Sequence, residues 1–287
     1  MISKRGPMKL SIISPTYNES ENVGLLVAEI EKSLNGADYE ILISDDDSPD
    51  LTWARVEEIG RRNPRVRVLR RTSNRGLGPS VVDGFSAATG EFVACMDADL
   101  QHDPKVLPRM LKEVSAGSTL VVATRYMPGG GTANWNAIRR LGSWGCTKLA
   151  QWMLGVELRD PMSGYFMMRR DDFMKIRDRL NARGFKILLE IAAHMQPCHL
   201  REVPYTFGPR ARGESKLTNK IIFAYLLQLW RLYTGDRHTA SDSSSVMTGS
   251  SSDTSLPDLD STIAAVNLEG QKQKGLAAYA ATGTSRK

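Results

Sequence analysis

The chain has 287 residues, 41% of them hydrophobic, and a formal net charge of +6 at pH 7. That is enough apolar material for a full core, as one large α/β domain or as one domain with appendages. The positive balance favours anionic partners such as nucleic acid, phosphorylated substrates or lipid headgroups, and composition does not separate these. Three cysteines without zinc-site spacing exclude a disulfide framework and indicate a reduced, cytosolic protein. Residues 1–9 lack a signal-peptide core, and no run reaches the roughly 18–20 apolar residues of a membrane span.

The first half of the chain alternates strands with helices. The first strand, 9–17, breaks at Pro15, and Asn18 with Glu21 gives the capping-box pattern of a helix running to about Leu34. The further strands are predicted at 39–46, 66–70, 92–96 and 120–126, and the further helices at 50–62, 76–90 and from Pro104 onward. This alternation predicts an α/β fold with a doubly wound, mostly parallel sheet flanked by helices.

The second half is less regular. Its predicted elements are a helix at 136–154, a strand at 164–169, a helix at 185–195, a strand at 200–207 and a last helix at 217–233. The last helix carries an apolar stripe at helical spacing, formed by Leu217, Ile221, Tyr225, Leu229 and Trp230. From Thr234 onward, serine, threonine, glycine and alanine dominate, and we predict a disordered tail over 234–287.

One apolar strand ends abruptly in two carboxylates. The run 92–96 is followed by Asp97, Ala98 and Asp99, and then by the amide of Gln101. The carboxyl ends of strands in an open α/β sheet are where ligands bind, and carboxylate and amide oxygens suit Mg²⁺ or Mn²⁺. So short a pattern equally fits an acidic strand end that caps the next helix.

Two other segments lie at strand ends of the same predicted edge. They are 15–19 (PTYNE) and 45–50 (DDDSPD). A nucleotide along this edge would place its base near both segments, with Asp46 accepting from its N–H groups and Tyr17 packing on its face, and its diphosphate near the metal. The alternative for 45–50 is a solvated turn that caps a helix, although three adjacent acids repel one another and favour a donor-rich ligand.

The turn after the first strand excludes a dinucleotide-binding dehydrogenase. Such an enzyme needs a glycine-rich turn there, where this chain has Pro15 to Glu19. The glycines at 76 and 78 come one repeat too late, and the chain has no Walker lysine signature.

Taken together, the motifs resemble a known family. They are PTYNE at 15–19, DDDSPD at 45–50, RGLG at 75–78, ATGEFV at 88–93, MDADLQH at 96–102, TRY at 124–126, DPMSGYF at 160–166 and GESK at 213–216. In this order they resemble the family 2 glycosyltransferases of the GT-A fold, and among them the dolichyl- and polyprenyl-phosphate mannosyltransferases. The resemblance covers 9–233, which implies a catalytic domain with a nucleotide-binding half at 9–126 and an acceptor-binding half at 127–233.

The resemblance implies a site for GDP-mannose and a divalent metal. The implied donor contacts are Pro15, Tyr17, Glu19, Ser44, Asp46, Asp97, Ala98, Asp99, Arg125, Lys186, Arg210 and Lys216. Asp99 and Gln101 would ligate Mg²⁺ or Mn²⁺, and His102 is either a further ligand or the lead-in to the next helix. The implied catalytic residues are Asp99, Arg125, Arg210 and Lys216.

The implied reaction is an inverting transfer of mannose to a polyprenyl phosphate, giving a β-linked product. The lipid phosphate is already largely ionised, with a second pKa of about 6, so that no strong general base is required. A metal with arginine and lysine side chains would stabilise the departing diphosphate. Arg210 and Lys216 lie in a segment that either closes over the nucleotide or is an exposed basic loop.

A lipid acceptor requires an apolar approach. The helix at 136–154 mixes Arg139, Arg140 and Lys148 with Trp144 and Trp152, as suits a membrane surface, whereas the last helix fits either core packing or docking. We therefore expect peripheral association with the cytoplasmic face of a membrane, either directly or through a small anchoring subunit, and no nucleic-acid partner. The alternatives are transfer of another sugar, for example from UDP-glucose, and a non-catalytic module that binds anions or membranes.

Overall fold

The computed structural model describes residues 10–132, 137–181, 186–195, 198–208 and 219–234, with the backbone alone for 137–141 and 219–225. Arg210, Lys216, the segment 1–9 and all of the predicted tail beyond Thr234 lie outside the described residues.

Strands and helices alternate along most of the described chain. The strands are β1 Leu10–Thr16, β2 Tyr39–Asp45, β3 Val66–Arg70, β4 Phe92–Cys95, β5 Leu120–Thr124, β6 Gly131–Thr132, β7 Phe166–Arg169, β8 Leu200–Pro204 and β9 Thr206–Phe207. The helices are α1 Val23–Ser33, α2 Thr52–Arg62, α3 Leu77–Ala87, α4 Leu107–Ser115, α5 Ala137–Leu154, α6 Arg170–Ile176, α7 Ile187–His194 and α8 Asn219–Thr234.

Seven of the strands form one sheet in the order β3-β2-β1-β4-β7-β5-β8. Its neighbours pair in parallel except β7, which runs antiparallel to both β4 and β5. The predicted mostly parallel, helix-flanked sheet is therefore confirmed. In register, Thr16 lies beside Asp45 and Ile13 beside Cys95. The carboxyl ends of β1, β2 and β4 consequently meet at one edge, as the predicted site requires.

The core lies on both faces of this sheet. On β1, Ile12 packs with Leu26 and Ile30 of α1, whereas the neighbouring Ile13 faces the opposite cluster with Phe85 of α3. Side chains alternate across a strand, so a strand buried on both faces appears in the sequence as a continuous apolar run. This is why the central strands were predicted almost to the residue.

The predicted capping box at Asn18 and Glu21 is wrong. Helix α1 begins at Val23 with Asn22 as its N-cap residue. Asn18 instead has a left-handed backbone with φ of 59°, and its N–H donates to the Ser48 hydroxyl at 3.0 Å. A tertiary hydrogen bond to the next loop thus overrides the local capping signal.

Helix α6 was not predicted. It has seven residues, of which Phe173 and Ile176 are buried. So short a segment gives no clear helical period, and tertiary packing stabilises it more than propensity does. Among the described residues, no helix is both long and apolar enough to cross a membrane.

Candidate functional site

The loops that follow β1 and β2 are hydrogen-bonded to each other. The backbone N–H of Glu19 donates to Thr52 Oγ1 at 3.0 Å, and that of Ser20 donates to Asp50 Oδ2 at 3.0 Å. Two of the predicted nucleotide-edge segments are therefore held together as one hydrogen-bonded unit. Pro15, Tyr17 and Glu19 are partly buried within it.

Asp45 is a structural residue of this unit. Its carboxylate is fully buried and accepts hydrogen bonds from Thr16 Oγ1 at 2.8 Å and from the N–H and hydroxyl of Ser48 at 2.9 and 2.6 Å. Ser44 is also fully buried, and its hydroxyl donates to the carbonyl of Ser80 in α3 at 3.0 Å. These contacts fix the end of β2 against β1 and α3.

Asp46 forms a buried ion pair with Arg71, the residue that directly follows β3. The second Asp46 oxygen accepts from the backbone N–H of Gly76 at 2.7 Å, and Arg71 Nε donates to Asp83 at 2.8 Å. The side chains of Asp46 and Arg71 are only 4% and 3% exposed. Asp46 is therefore held in one orientation at the predicted nucleotide edge.

The third acid of the run is also paired with arginine. Asp47 contacts Arg70 at 2.6 Å and Arg75 at 2.6 Å, and the hydrogen bond from Arg70 is the main cause of its lowered pKa. The repulsion among the three acids is thus balanced by the protein itself. It is not, as the sequence suggested, an argument for a donor-rich ligand. These arginines are the last residue of β3 and a residue of the loop after it, so only the strand order reveals them as partners.

The segment after β4 presents acids at the same edge. The Asp97 side chain is 38% exposed, and Ala98 is buried. Asp99 is partly buried, and its Oδ1 accepts from the backbone N–H of Gln101 at 3.2 Å. Leu100 between them has φ of 63°, so the chain turns sharply here.

Gln101 connects this turn to the end of β9. Its side-chain Nε2 donates to the carbonyl of Gly208 at 3.1 Å, and the Gly208 N–H donates back to the Gln101 carbonyl at 2.9 Å. Gly208 is the last described residue before the segment that carries Arg210 and Lys216. The turn that carries the predicted metal ligands is therefore hydrogen-bonded to Gly208, after which the chain continues to Arg210 and Lys216, outside the described residues.

His102 is buried beneath the acidic turn and is hydrogen-bonded to it. Its Nδ1 accepts the backbone N–H of Asp97 at 3.1 Å, and its ring stacks on Tyr165 with centroids 5.0 Å apart. Burial lowers the pKa of His102, against the opposing charges of Asp97 and Asp99. Because Nδ1 accepts a backbone hydrogen bond, the neutral ring carries its hydrogen on Nε2 and offers no lone pair to a metal. His102 therefore fits the role of a residue leading into the next helix better than that of a metal ligand.

Arg125 is bound by a residue that sequence reasoning did not assign. Its Nε and Nη2 donate to the two oxygens of Asp160 at 2.7 Å each, and Asp160 is fully buried. Burial alone would lower the pKa of Arg125, but the hydrogen bonds and charge of Asp160 raise it above its usual value. Asp160 opens the DPMSGYF motif, and its position in that motif was the available signal.

Lys186 belongs to the same charged cluster. Its Nζ donates to the carbonyl of Met162 at 3.2 Å. Burial lowers the pKa of Lys186 and the charge of Arg125 lowers it further, whereas Asp97 and Asp160 act in the opposite direction. The structure thus brings together Lys186, Arg125 and Asp97, which are far apart in sequence.

The residues present fit a hard divalent cation. In the part of the chain that the structure describes, no three histidine, cysteine, aspartate or glutamate side chains converge as a protein-only metal site. Mg²⁺ characteristically takes one or two carboxylates and completes its shell with phosphate oxygens and water. Asp99 offers such a carboxylate, and Gln101 offers an amide oxygen because its nitrogen is engaged by Gly208.

Helices α5 and α8 expose an aromatic face. On α5, Trp144 and Trp152 are 57% and 79% exposed, and the exposed Lys148 lies between them on the same side of the helix. On α8, Trp230 and Tyr233 are 55% and 58% exposed. We call these five residues, on two helices that are in contact with each other, the aromatic face. Large exposed aromatics are typical of an interaction surface.

This strand order, with Asp97-Ala98-Asp99 at the end of β4, defines an α/β protein of the GT-A class. Residues 11–177 match the family model Glycosyl transferase family 2, and the chain belongs to that family.

Similar proteins agree with this assignment. The dolichol-phosphate mannosyltransferase of Pyrococcus furiosus is 44% identical over 227 residues, which are 78% of this chain and 64% of that protein. The dolichol-phosphate mannosyltransferase of Mycosarcoma maydis is 38% identical over 232 residues, 78% of each chain. The match therefore covers less than two thirds of the length of the Pyrococcus furiosus protein and more than two thirds of the length of the Mycosarcoma maydis protein.

The fold is also found in a solved structure. Glucosyl-3-phosphoglycerate synthase from Mycobacterium tuberculosis, in complex with Mn²⁺, UDP-glucose and glycerol 3-phosphate, superposes with a TM-score of 0.53 at 20% identity. The match covers 77% of this chain and 80% of that one. At this identity the likeness establishes the fold.

Proposed function

We propose that this chain transfers mannose from GDP-mannose to a dolichyl or other polyprenyl phosphate, with inversion and with Mg²⁺ or Mn²⁺ as cofactor. One arrangement carries the proposal. Asp99 and Gln101 stand at the carboxyl edge of the sheet, beside the two hydrogen-bonded loops that would receive a nucleoside, while Lys186 adds positive charge near Asp97. The names of the relatives supply the sugar and the acceptor class.

The donor would lie along the sheet edge. The nucleoside would be held by the loops after β1 and β2, and the diphosphate by the turn after β4 with the cationic residues. The proposed contacts are Pro15, Tyr17, Glu19, Ser44, Asp46, Asp97, Ala98, Asp99, Arg125, Lys186, Arg210 and Lys216. Asp46 acts here with its carboxylate already oriented by Arg71 and Gly76.

The chemistry requires charge stabilisation more than proton transfer. An ionised phosphate attacks the anomeric carbon directly, so the departing nucleoside diphosphate carries the developing charge. A divalent cation held by Asp99 and Gln101 would offset part of that charge. Lys186 would donate to the departing diphosphate from its position near Asp97, where its Nζ already donates to the Met162 carbonyl. Arg210 and Lys216 would complete the cationic side from the segment beyond Gly208.

A titration of the donor nucleotide tests the proposal most directly. Calorimetry of the full chain with GDP-mannose and with UDP-glucose, each with Mg²⁺, Mn²⁺ or EDTA, should show metal-dependent binding of GDP-mannose and much weaker binding of UDP-glucose. Transfer of labelled mannose to a short-chain polyprenyl phosphate in detergent should then give a β-linked product by NMR. Tighter binding of UDP-glucose would instead support the alternative sugar, and binding that is insensitive to metal would contradict the proposed mechanism.

The aromatic face would meet the membrane that contains the acceptor. Aromatic residues with an interleaved lysine are suited to the headgroup region, where the ring is apolar and the cation meets anionic lipid. We therefore propose peripheral association with the cytoplasmic face of a membrane. A small anchoring subunit could share this role, and it stays a prediction.

A further inference from the structure

Gln228 of α8 uses both ends of its side-chain amide on one other residue. Its Nε2 donates to the carbonyl of Lys186 at 3.2 Å, and its Oε1 accepts the backbone N–H of Lys186 at 3.3 Å. The Gln228 residue is only 5% exposed. The pair resembles one rung of a β-ladder, but it joins a helix side chain to a backbone 42 residues away.

The backbone of Lys186 is fixed by hydrogen bonds, and this determines where its side chain begins. It is the N-cap residue of α7, with φ of −127° and ψ of 81°. Its carbonyl also accepts from the N–H of Leu189 in the first turn at 3.1 Å. From this fixed backbone the side chain extends to the Met162 carbonyl, in the cluster with Arg125 and Asp97.

Helix α8 has two faces with different surroundings. Leu229 and Leu232 are buried in the same cluster as Ala150 and Leu154 of α5. The adjacent side exposes Trp230 and Tyr233, which belong to the aromatic face. Gln228 therefore lies on a helix that is packed along one side and exposes part of the aromatic face beside it. A small shift of this helix would move the amide that holds Lys186.

We propose that Gln228 is a positioning residue for Lys186. Through this contact, the position of helix α8 would affect where the Lys186 side chain lies in the donor site. The inference rests on the proposed function for the role of Lys186, but the contact itself is independent of the substrate. Gln228 touches neither sugar nor phosphate and acts through the backbone of Lys186. Loss of the amide leaves the Lys186 N–H without this acceptor and leaves its carbonyl with only the bonds from the first turn of α7, so the lysine backbone is less firmly held and the side chain can leave the cluster.

The kinetic experiment uses the full chain with a short-chain polyprenyl phosphate in detergent, so that membrane docking does not contribute. Gln228→Met keeps the length of the side chain and removes both hydrogen bonds. We expect kcat/KM to fall roughly 10- to 100-fold, as for other small displacements of a positioned group. Gln151→Met is the matched control, because Gln151 donates to the Leu158 carbonyl of another segment at 2.7 Å, and it should stay near wild type.

A double-mutant cycle separates positioning from general damage. In a Lys186→Met background, Gln228→Met should cause no further loss, since its effect passes through the lysine. An equal loss in both backgrounds would show that Gln228 acts elsewhere and would overturn the inference.

A second measurement needs no turnover at all. The rate of reductive methylation of Lys186, followed by mass spectrometry against the exposed Lys105, should rise in Gln228→Met and stay unchanged in Gln151→Met. An unchanged rate at Lys186 would overturn the inference even if the enzyme were active.

If wild type transferred no mannose but this rate rose, the proposed function would fail while the positioning role stood. Should Gln228→Met not fold, Gln228→Asn, which draws the amide back by one methylene, replaces it in both measurements.

Discussion

Arg125 donates two parallel hydrogen bonds of 2.7 Å to Asp160, and both side chains are removed from solvent. Bidentate pairs of this kind fix the plane of the guanidinium as well as its distance. The carbonyl of Met162, two residues after Asp160, accepts from Lys186. The Arg125–Asp160 pair therefore anchors the loop on which the Lys186 ammonium rests, in addition to any contact that Arg125 makes with the donor.

Removing the charge of Asp160 should destabilise the protein. Asp160→Asn leaves the Arg125 guanidinium buried with a neutral partner, and breaking one side of such a pair costs about 3–5 kcal/mol. Urea unfolding should show a loss of this size in the free energy of unfolding. The double variant Arg125→Met with Asp160→Leu should recover part of it, since no buried charge is then left alone. A double variant less stable than Asp160→Asn would contradict this account.

Asp99 should be needed for transfer and not for folding. Asp99→Ala removes the carboxylate that would hold the cation, and Asp99 is not part of the core. Turnover should fall below detection, and metal-dependent donor binding should be lost, while the urea midpoint stays close to wild type. Asp103→Ala is the control, because Asp103 is an exposed aspartate of the same segment that caps the short turn at Pro104. Normal turnover of Asp99→Ala would rule out its metal role.

Gly164 leaves room for the Asp97 carboxylate. A Cβ at position 164 would lie 3.1 Å from Asp97 Oδ2 and 3.3 Å from Oδ1. Gly164→Ala should push this half-exposed carboxylate aside, so kcat/KM should drop by roughly 10-fold or more with little loss of stability. Gly24→Ala in α1, where nothing lies within 4 Å of the added carbon, should leave activity unchanged. Equal kinetics for both variants would mean that Asp97 does not contact the donor.

The parts of the fold that the sequence predicted well are those encoded locally. β4 is fully buried on both faces and ends at Cys95, two residues before Asp97, so an apolar run followed by acids was sufficient to place it. β7 was also placed, although nothing in its own residues gives its antiparallel direction. Direction depends on the connection between strands, which the hydrophobic pattern does not contain.

The parts that were missed depend on partners distant in the chain. Arg71 is 25 residues from Asp46, and Asp160 is 35 residues from Arg125. A charged residue in a sequence indicates polarity and not its partner, so the acids of β2 appeared unbalanced until β3 was placed beside them. Asn18 is an example in which a clear local signal was misleading. Its capping pattern predicted a helix start, but its backbone N–H donates to the Ser48 hydroxyl of a distant loop instead.

Glu40 should give the protein an acid-sensitive contribution to stability. Burial alone would raise the pKa of the Glu40 carboxyl, but hydrogen bonds from Arg67, Ser11 and Thr89 outweigh it and hold the pKa below its usual value of 4.5. The ionised form is therefore favoured by folding. This contribution is fully present above the unfolded-state pKa and is lost as the pH falls through the lower folded-state value.

Urea unfolding of wild type and Glu40→Gln between roughly pH 3 and pH 7 measures this contribution. Glu40→Gln should be less stable than wild type at pH 7, and the difference should shrink as the solution is acidified. Glu91→Gln is a suitable control, since Glu91 is an exposed carboxylate whose ion pair with Arg169 is long, at 3.8 Å. A difference that does not depend on pH would show that the carboxylate charge is not what matters.

The aromatic face should govern binding to lipid vesicles. Trp144→Ser and Trp152→Ser remove the two exposed indoles of α5, and neither side chain contributes to the buried core. Sedimentation with vesicles that contain anionic lipid should show binding of wild type reduced severalfold by each variant and more by both together. Transfer to a short-chain acceptor in detergent should be unchanged, because the donor edge is intact. Leu25→Ser is the control, since Leu25 of α1 is 53% exposed and lies outside this face. Equal loss of vesicle binding in that variant would mean that general surface hydrophobicity, and not the aromatic face, drives the association.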